Sequence, residues 1–186
     1  RGDQDVRRGL ALGGTVDGSG ADTGLAQTAV NAITALGGEA VSNTDDVADW
    51  DGARRLVQSA IDTYGTLDVL VNNAGILRDR MLFNMEEAEW DAVVRVHMKG
   101  TFAPMRWAAA YWREQSKNDR VVDARVINTS STSGLFANPG QSNYGAAKSG
   151  IATLSIIGAK ELGRYGVTVN AIAPGARTRM SAKLGP

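Results

Sequence analysis

A tyrosine and a lysine four positions apart, Tyr144 and Lys148, are the first residues in the chain that could do chemistry together. They fall in a segment that predicts a helix, so their side chains share one face, one turn apart. A free tyrosine, with a pKa of ~10, is a poor base at neutral pH. A nearby ammonium stabilises the phenolate, and bringing such a pKa down to about 7 takes about 4 kcal/mol. The pair could therefore serve as an acid and a base. On its own, however, such a pair is more often a packed tyrosine beside a surface lysine.

A serine, Ser131, could hold a substrate oxygen for the pair Tyr144 and Lys148. Ser131 directly follows a predicted buried strand over 124–129, at the carboxyl edge where doubly wound sheets hold ligands. Its hydroxyl could hydrogen-bond to a substrate oxygen. Taken alone it would be a turn serine, because Ser130 and Ser133 are neighbours of the same type.

Helices and strands that could position these residues alternate along the chain. Apolar periodicity predicts helices over 22–36, 50–64, 86–117 and 143–163, the third broken near Gly100 and Pro104. Short apolar runs predict strands over 39–43, 67–72, 124–129 and 167–172, and the run over 67–72 has the pattern of a strand buried on both faces. Residues 13–24 predict a glycine-rich loop, and residues 1–12 show no clear period. The alternation predicts an α/β protein with a doubly wound parallel sheet, as one domain over 1–186.

Composition excludes several classes of function. Twenty basic residues balance twenty acidic ones in 186 residues, so we expect no nucleic-acid partner. The chain has no cysteine, which excludes disulfides and thiolate metal sites, and its single histidine, His97, argues against a metal centre. No apolar run approaches the roughly 18 residues of a membrane span. We therefore expect no membrane partner and a cytoplasmic location. Glycine makes up 22 residues, which hints at turns that approach a ligand closely.

Four motifs occur in order along the predicted strands and helices. Asn72-Asn73-Ala74-Gly75 follows LDVLV directly, and Ser131 follows ARVINTS. Tyr144 comes thirteen residues after Ser131, with Lys148 four later. Pro174-Gly175 and Thr178 follow VTVNAIA. This pattern, over roughly 38–180, resembles the classical short-chain dehydrogenase/reductase family. Within it, the stretch Val96-His97-Met98-Lys99-Gly100 resembles the subgroup that includes the dehydrogenase units of peroxisomal multifunctional enzymes.

The resemblance implies a Rossmann-like fold and an oxidoreductase. A hydride would pass between a nicotinamide cofactor and a secondary alcohol or ketone, with 3-hydroxyacyl thioesters and steroids as leading substrates. Tyr144 would be the general acid and base, and Ser131 would orient and polarise the reacting oxygen. Lys148 would lower the pKa of the tyrosine and bind the nicotinamide ribose.

The same resemblance implies a cofactor-binding set. Its members are Asp46, Val47, Asn73, Ala74, Gly75, Tyr144, Lys148, Pro174, Gly175 and Thr178. Subgroup resemblance favours NAD. NADP stays open, because the acidic residue that separates the two would align near Ala11. Family members are commonly dimers or tetramers through their long helices, so a homodimer or homotetramer is expected.

His97 stands where the family often has a catalytic asparagine. The resemblance makes it a further candidate catalytic residue, because a histidine can also hold a water molecule by hydrogen bonding. The alternative is an ordinary helix histidine whose ring is satisfied by its neighbours.

Two readings exist for the glycine-rich segment. Gly18–Gly24 could be the family's phosphate loop, but the segment LGGTVDGSG fits better as the long loop after the family's second strand. On that alignment the first strand, the first helix, most of the second strand and the glycine-rich turn would lie ahead of residue 10. The carboxyl end would also be short, and the predicted fold would be incomplete at both ends. The strand over 67–72 would then have an open edge.

Two other functions remain open. The chain could be a catalytically silent family fragment that serves only as an oligomer-forming or structural subunit. It could also be a sugar-nucleotide epimerase or dehydratase, which shares the Tyr-Lys spacing. The contexts around Asn72 and Pro174 argue against the epimerase, and the presence of Ser131, Tyr144 and Lys148 together argues against the silent fragment.

Overall fold

The strands form two parallel sheets. The computed structural model describes residues 8–12 and 23–175. β1 (Arg8–Leu12) pairs with β2 (Glu39–Asn43), and β3 (Val69–Asn72), β4 (Ala124–Thr129) and β5 (Val167–Ile172) form a second sheet in the order β3-β4-β5. All three pairings are parallel. The strands predicted from 39, 124 and 167 are confirmed. The predicted strand over 67–72 is shorter in the structure, and β1 falls in the segment for which we predicted no structure.

The helices alternate with the strands as predicted. They are α1 (Thr23–Ala35), α2 (Trp50–Tyr64), α3 (Glu87–Val94), α4 (Gly100–Lys117), α5 (Thr132–Phe136) and α6 (Ser142–Leu162). The caps of α2 show why its limits could be predicted. The side chain of Asp49 accepts a hydrogen bond from the amide of Gly52 at 2.7 Å, and Gly65 ends the helix at a φ of 78°. The five-residue helix α5 was not predicted, and 3₁₀ turns occupy Leu82–Asn84 and Gly163–Tyr165.

A π turn, Arg95–Lys99, separates α3 from α4. The prediction of a break near Gly100 is therefore confirmed, but the prediction of a break near Pro104 is wrong, since that proline lies within α4. The missing amide and the ring of Pro104 both act on the carbonyl of Gly100, the first residue of α4, so the disturbance falls where the π turn already ends.

β3 is more exposed than its apolar sequence predicts. Val69 and Val71 are 51% and 57% exposed, so the expectation of burial on both faces is wrong for this strand. Among the strands that the structure describes, only β4 pairs with β3. Its other edge is thus open in the described chain, as the alignment predicted, and side chains beside an open edge lose neighbours that would cover them.

The main core lies between the second sheet and the helices that cross it. Trp112 on α4 is 1% exposed, and its indole nitrogen donates to the carbonyl oxygen of Leu67. Other buried members of this core are Val57, Met105, Ala108, Ala124, Val126, Leu162, Val167 and Val169. Burying each of the valine, leucine and methionine side chains is worth about 1.5–3 kcal/mol, which fixes the sheet against the helices that carry the site.

Candidate active site

The carboxyl ends of β3, β4 and β5 meet at one edge of the sheet. Asn72 is in register with Asn128, and Thr129 with Ile172. Beyond the strands, the amide of Ser130 still donates to the carbonyl oxygen of Ile172 at 2.7 Å. This edge therefore brings together the segments that begin at Asn73, Ser131 and Pro174, although they are distant in sequence.

A buried polar relay fixes α6 against these strands. Nδ2 of Asn72 donates to Oδ1 of Asn128 at 2.8 Å, and Nδ2 of Asn128 donates to Oγ of Ser155 at 2.9 Å. Ser155 in turn donates to the carbonyl oxygen of Ile151 at 2.8 Å. Asn128 is fully buried, so each of these hydrogen bonds forms away from water. The only sequence signal for the relay is an asparagine that follows apolar residues in each of two strands.

Ser131 caps the short helix α5. Its backbone is extended and its Oγ accepts a hydrogen bond from the amide of Ser133 at 3.2 Å. Because the oxygen accepts from the backbone, the hydroxyl proton is free to donate to another group. The residue is half-buried, which leaves the hydroxyl within reach of a bound molecule.

Tyr144 lies in the first turn of α6, behind a buried anchor. Asn143 is fully buried and its Nδ2 donates to the carbonyl oxygens of Arg78 and Glu89 at 3.0 and 3.1 Å. Its Oδ1 accepts from the amide of Tyr144 at 2.7 Å. This anchor was not predicted from the sequence. It fixes the start of α6, and hence Tyr144, against two segments that lie more than fifty residues upstream.

Lys148 lies one turn after Tyr144 and points under its ring. The ammonium nitrogen is 5.6 Å from the centroid of the tyrosine ring and donates to the carbonyl oxygen of Thr129 at 2.5 Å. The side chain is 3% exposed, and this burial lowers the pKa of Lys148 to about 8. The predicted pairing of these two residues on one helix face is thus present in the structure.

His97 packs edge-on against the tyrosine. The two rings are 5.1 Å apart at 89°, and the histidine lies in the π turn. Its Nε2 is 2.8 Å from the carbonyl oxygen of Ile76, whereas its Nδ1 is buried with no hydrogen-bond partner in the described chain. Burial, together with the charge of Lys148, lowers the pKa of His97 to about 4. The ring is therefore neutral at pH 7.

The family model for short chain dehydrogenases matches residues 2–186. The chain belongs to the short-chain dehydrogenase family.

Relatives of this short-chain dehydrogenase agree with the predicted subgroup. It is 51% identical over 148 residues to hydroxyacyl-CoA dehydrogenase ChsB1 of Mycobacterium tuberculosis, covering 78% of this chain and 46% of that protein. It is 42% identical over 175 residues to the peroxisomal hydratase-dehydrogenase-epimerase of Neurospora crassa, covering 94% of this chain and 19% of that protein. A crystal structure of a short chain dehydrogenase from Mycobacterium avium shares 52% identity at a TM-score of 0.85, covering 94% and 69% of the two chains.

These comparisons confirm the family and its Rossmann-like doubly wound fold. The chain spans about half the length of the first curated relatives that it matches, 46% and 59%. The pairing of β1 favours one of the two readings of the glycine-rich segment. β1 pairs with β2 and, among the described strands, with no other, as expected of the family's second strand and not of its first. Residues 13–22 themselves lie outside the described residues.

The other predicted cofactor-binding residues have mixed surroundings. Asn73, Ala74, Pro174 and Gly175 are exposed beyond the ends of β3 and β5, and Thr178 lies outside the described residues. Gly75 has no open space beside it, because a Cβ there would come within 2.5 Å of Cε1 of His97.

Asp46 and Val47 pack against the π turn. Partial burial works to raise the pKa of Asp46, but its hydrogen bonds from Arg95, at 2.5 Å, and from the amide of Ala48 outweigh this and lower the pKa. A Cβ on Gly100 would come within 3.0 Å of Cγ2 of Val47. The family resemblance implies that both residues lie near a nucleotide, but it does not predict this contact with the turn that carries His97.

The described part of the short-chain dehydrogenase fits the ribose side of a nicotinamide cofactor. The ammonium of Lys148 has three donors, and the structure gives it one hydrogen bond, to Thr129. Its remaining donors suit the hydroxyl oxygens of a ribose. Within the described residues no helix is long and apolar enough to cross a membrane, and no group of three or more histidine and acidic side chains could hold a metal ion.

Proposed function

We propose that the protein carrying this chain is a nicotinamide-dependent oxidoreductase that interconverts a secondary alcohol and a ketone. The observation that carries the proposal is that Lys148 lies beside the ring of Tyr144 and donates to Thr129, two residues before Ser131, at the carboxyl edge of the sheet. The buried ammonium of Lys148 lies 5.6 Å from the centre of the Tyr144 ring, so a basic group stands beside the phenol that is proposed to exchange the proton.

Each of the three residues has a distinct part in this reaction. Ser131 donates its free hydroxyl proton to the reacting oxygen and so polarises it. Tyr144 gives its phenol proton to the carbonyl oxygen in the direction of reduction, and takes it back as phenolate in the direction of oxidation. Lys148 holds positive charge beside the phenol and offers its remaining donors to the ribose. When bound, the cofactor supplies or accepts the hydride.

The rest of the cofactor-binding set completes this assignment. Asn73, Ala74 and Gly75 would lie toward the adenosine ribose, Asp46 and Val47 toward the adenine, and Pro174, Gly175 and Thr178 toward the nicotinamide. We propose NAD as the cofactor, and a comparison with NADP belongs to the test. A homodimer or homotetramer is proposed for the whole protein, as is common in the family.

The substrate class is proposed from the relatives. A relative of 51% identity is named a hydroxyacyl-CoA dehydrogenase, and a relative of 41% identity from Thermotoga maritima is named a 3-oxoacyl-[acyl-carrier-protein] reductase. Both names describe oxygenated acyl thioesters, and the second places the oxygen at the third carbon. A 3-hydroxyacyl thioester is therefore the leading substrate, and a hydroxysteroid is the second to try.

The test uses the full-length protein with 3-hydroxyacyl-CoA thioesters and NAD or NADP, following the absorbance of the reduced nicotinamide. The wild type should turn over with one of the two cofactors. Tyr144→Phe should keep cofactor binding, measured by quenching of tryptophan fluorescence, and lose turnover. Turnover by Tyr144→Phe at the wild-type rate contradicts the assignment. A folded wild type without turnover on thioesters or steroids favours the silent-subunit alternative.

A further inference from the structure

A second polar cluster lies beside the three proposed active-site residues and has no role in the proposed chemistry. It consists of Asp79, Ser133, Asn138 and Gln141. Gln141 is 7% exposed, and it directly precedes α6, three residues before Tyr144. Asp79 lies in the loop after β3 and is exposed to solvent.

In this cluster each side chain donates a hydrogen bond to the next, and the series ends at the carboxylate of Asp79. An ionised carboxylate only accepts, so Nε2 of Gln141 must be the atom that faces Oδ2 of Asp79, at 2.8 Å. Oε1 of Gln141 then faces Ser133, whose hydroxyl donates to it at 2.8 Å. Asn138 donates to Oγ of Ser133 at 3.0 Å. The charge of Asp79 thus orients the amide of Gln141, and the amide orients Ser133.

The cluster ends at Ser131. The amide of Ser133 donates to Oγ of Ser131, and this hydrogen bond leaves the hydroxyl proton of Ser131 available to a substrate. On the other side, the carbonyl oxygen of Gln141 accepts from the amide of Gly145 at 2.7 Å, within the turn that carries Tyr144. The amide of Arg80 also donates to the carbonyl oxygen of Gly140 at 2.8 Å. The loop after β3 is therefore bonded directly to the segment that begins α6, and it is connected to Ser131 through Gln141 and Ser133.

We propose that Gln141, held by Asp79, is a positioning residue that sets the relative placement of Ser131 and Tyr144. The inference rests on the proposed function, because it assigns a purpose to the alignment of those two residues. Both polar ends of the Gln141 side chain are occupied within the protein, so it acts through Ser133 and not on the substrate. A misplacement of catalytic groups by about 1 Å can cost roughly a hundredfold in rate.

Exchanging the amide of Gln141 and the carboxylate of Asp79, singly and together, tests the proposal. Gln141→Glu places two carboxylates against each other and should lower kcat by roughly ten- to hundredfold, with KM little changed, because the loss falls on the transition state. Asp79→Asn still offers an oxygen to Gln141 and should stay within about threefold of the wild type. The double variant Asp79→Asn with Gln141→Glu restores the hydrogen bond in reverse, and should recover kcat to within about threefold.

The chain offers a matched control on α2. Nε2 of Gln58 donates to Oδ1 of Asp62 at 2.7 Å, the same pair of groups on an exposed helix face. Gln58→Glu should leave kcat unchanged. Should Gln141→Glu fail to fold, Asp79→Ala at its exposed position replaces it, and it should lower kcat where Asp79→Asn does not.

Hydrogen exchange separates this proposal from the proposed function. Gln141→Glu should speed exchange of the amides of Gly134, Ala137 and Gly145, which are bonded within the same segment, and the double variant should slow it again. This result is obtained even if the wild type turns over no hydroxyacyl thioester, in which case only the proposed function is lost. Unchanged exchange and kcat in Gln141→Glu, or a double variant no better than Gln141→Glu, overturns the positioning role.

Discussion

The imidazole of His97 stands edge-on to the phenol of Tyr144, with ring centroids 5.1 Å apart at 89°. The same imidazole abuts Gly75 and is hydrogen-bonded at the backbone of Ile76. His97 therefore connects the loop after β3 to the proposed acid and base. Because it stays neutral down to a pH of about 4, its contribution at pH 7 is packing and hydrogen bonding, and not charge.

Acid should destabilise the protein through His97. The pKa of this histidine is about 4 in the folded chain and about 6.5 when unfolded, so the unfolded state takes up the proton first. The free energy of unfolding should therefore fall as pH drops from about 6.5 to about 4. Between about pH 7.5 and about pH 5 the loss should be about 2 kcal/mol. Urea unfolding of the wild type and of His97→Gln at both pH values measures it. An identical acid loss in the two proteins would show that another group is responsible.

Lys148 should lower the free energy of unfolding although turnover requires it. Its pKa is about 8 when folded and about 10.5 when unfolded, so stability is lost as pH falls from about 10.5 to about 8 and stays lost below that. Lys148→Met removes the unfavourable burial of the charge, but it also removes one hydrogen bond to Thr129. We expect a gain of about 2 kcal/mol at neutral pH, a smaller gain at about pH 10, and no turnover. Thermal unfolding at the two pH values measures the gain, and a variant less stable than the wild type at neutral pH argues against it.

Residues close in sequence could be predicted, whereas those whose partners are distant could not. Tyr144 and Lys148 meet because four positions make one helical turn, and Ser131 follows a strand that is recognisable from its apolar run. Asn143 and Gln141 gave no such signal, since their partners Arg78, Glu89 and Asp79 lie more than fifty positions away.

Irregular backbone was the other source of error. The π turn of Arg95–Lys99 continues the apolar pattern of the helices beside it, so only a break somewhere near Gly100 could be predicted. The five residues of α5 are too few for a periodic pattern to indicate a helix. The exposure of β3 could not be predicted from its own residues, because the apolar run LDVLV is that of a strand with neighbours on both sides.

Gly75→Ala should destabilise the protein because of His97. An added Cβ would come within 2.5 Å of Cε1 of that ring, which must then move against its backbone partner. We expect a loss of about 1–3 kcal/mol, as for other overpacked interiors. Gly163→Ala is the control, because a Cβ there meets nothing within 4 Å and the φ of −54° suits alanine.

A double-mutant cycle assigns the cause of that loss. In a His97→Ala background the cost of Gly75→Ala should fall to well under about 1 kcal/mol, since the clashing atom is gone. Chemical unfolding of the four proteins supplies the coupling energy. Equal costs in the two backgrounds would show that the contact with His97 is not the cause of the loss.

Ala137→Gly should stabilise the protein. Ala137 ends α5 at a φ of 62° and a ψ of 152°, a backbone region that is essentially restricted to glycine. The strain persists because the amide of Ala137 donates to the carbonyl oxygen of Ser133 at 3.1 Å, next to the cluster that holds Ser131. Glycine relieves the strain, but it also gives the unfolded chain more conformational entropy, which favours unfolding. The free energy of unfolding should therefore rise by about 1 kcal/mol net. Ala146→Gly, at an exposed position inside α6, should instead lose about 1 kcal/mol. If the strain at Ala137 is present, thermal unfolding should show that Ala137→Gly gains stability and Ala146→Gly loses it. A loss of stability in both variants would show that alanine is unstrained at position 137.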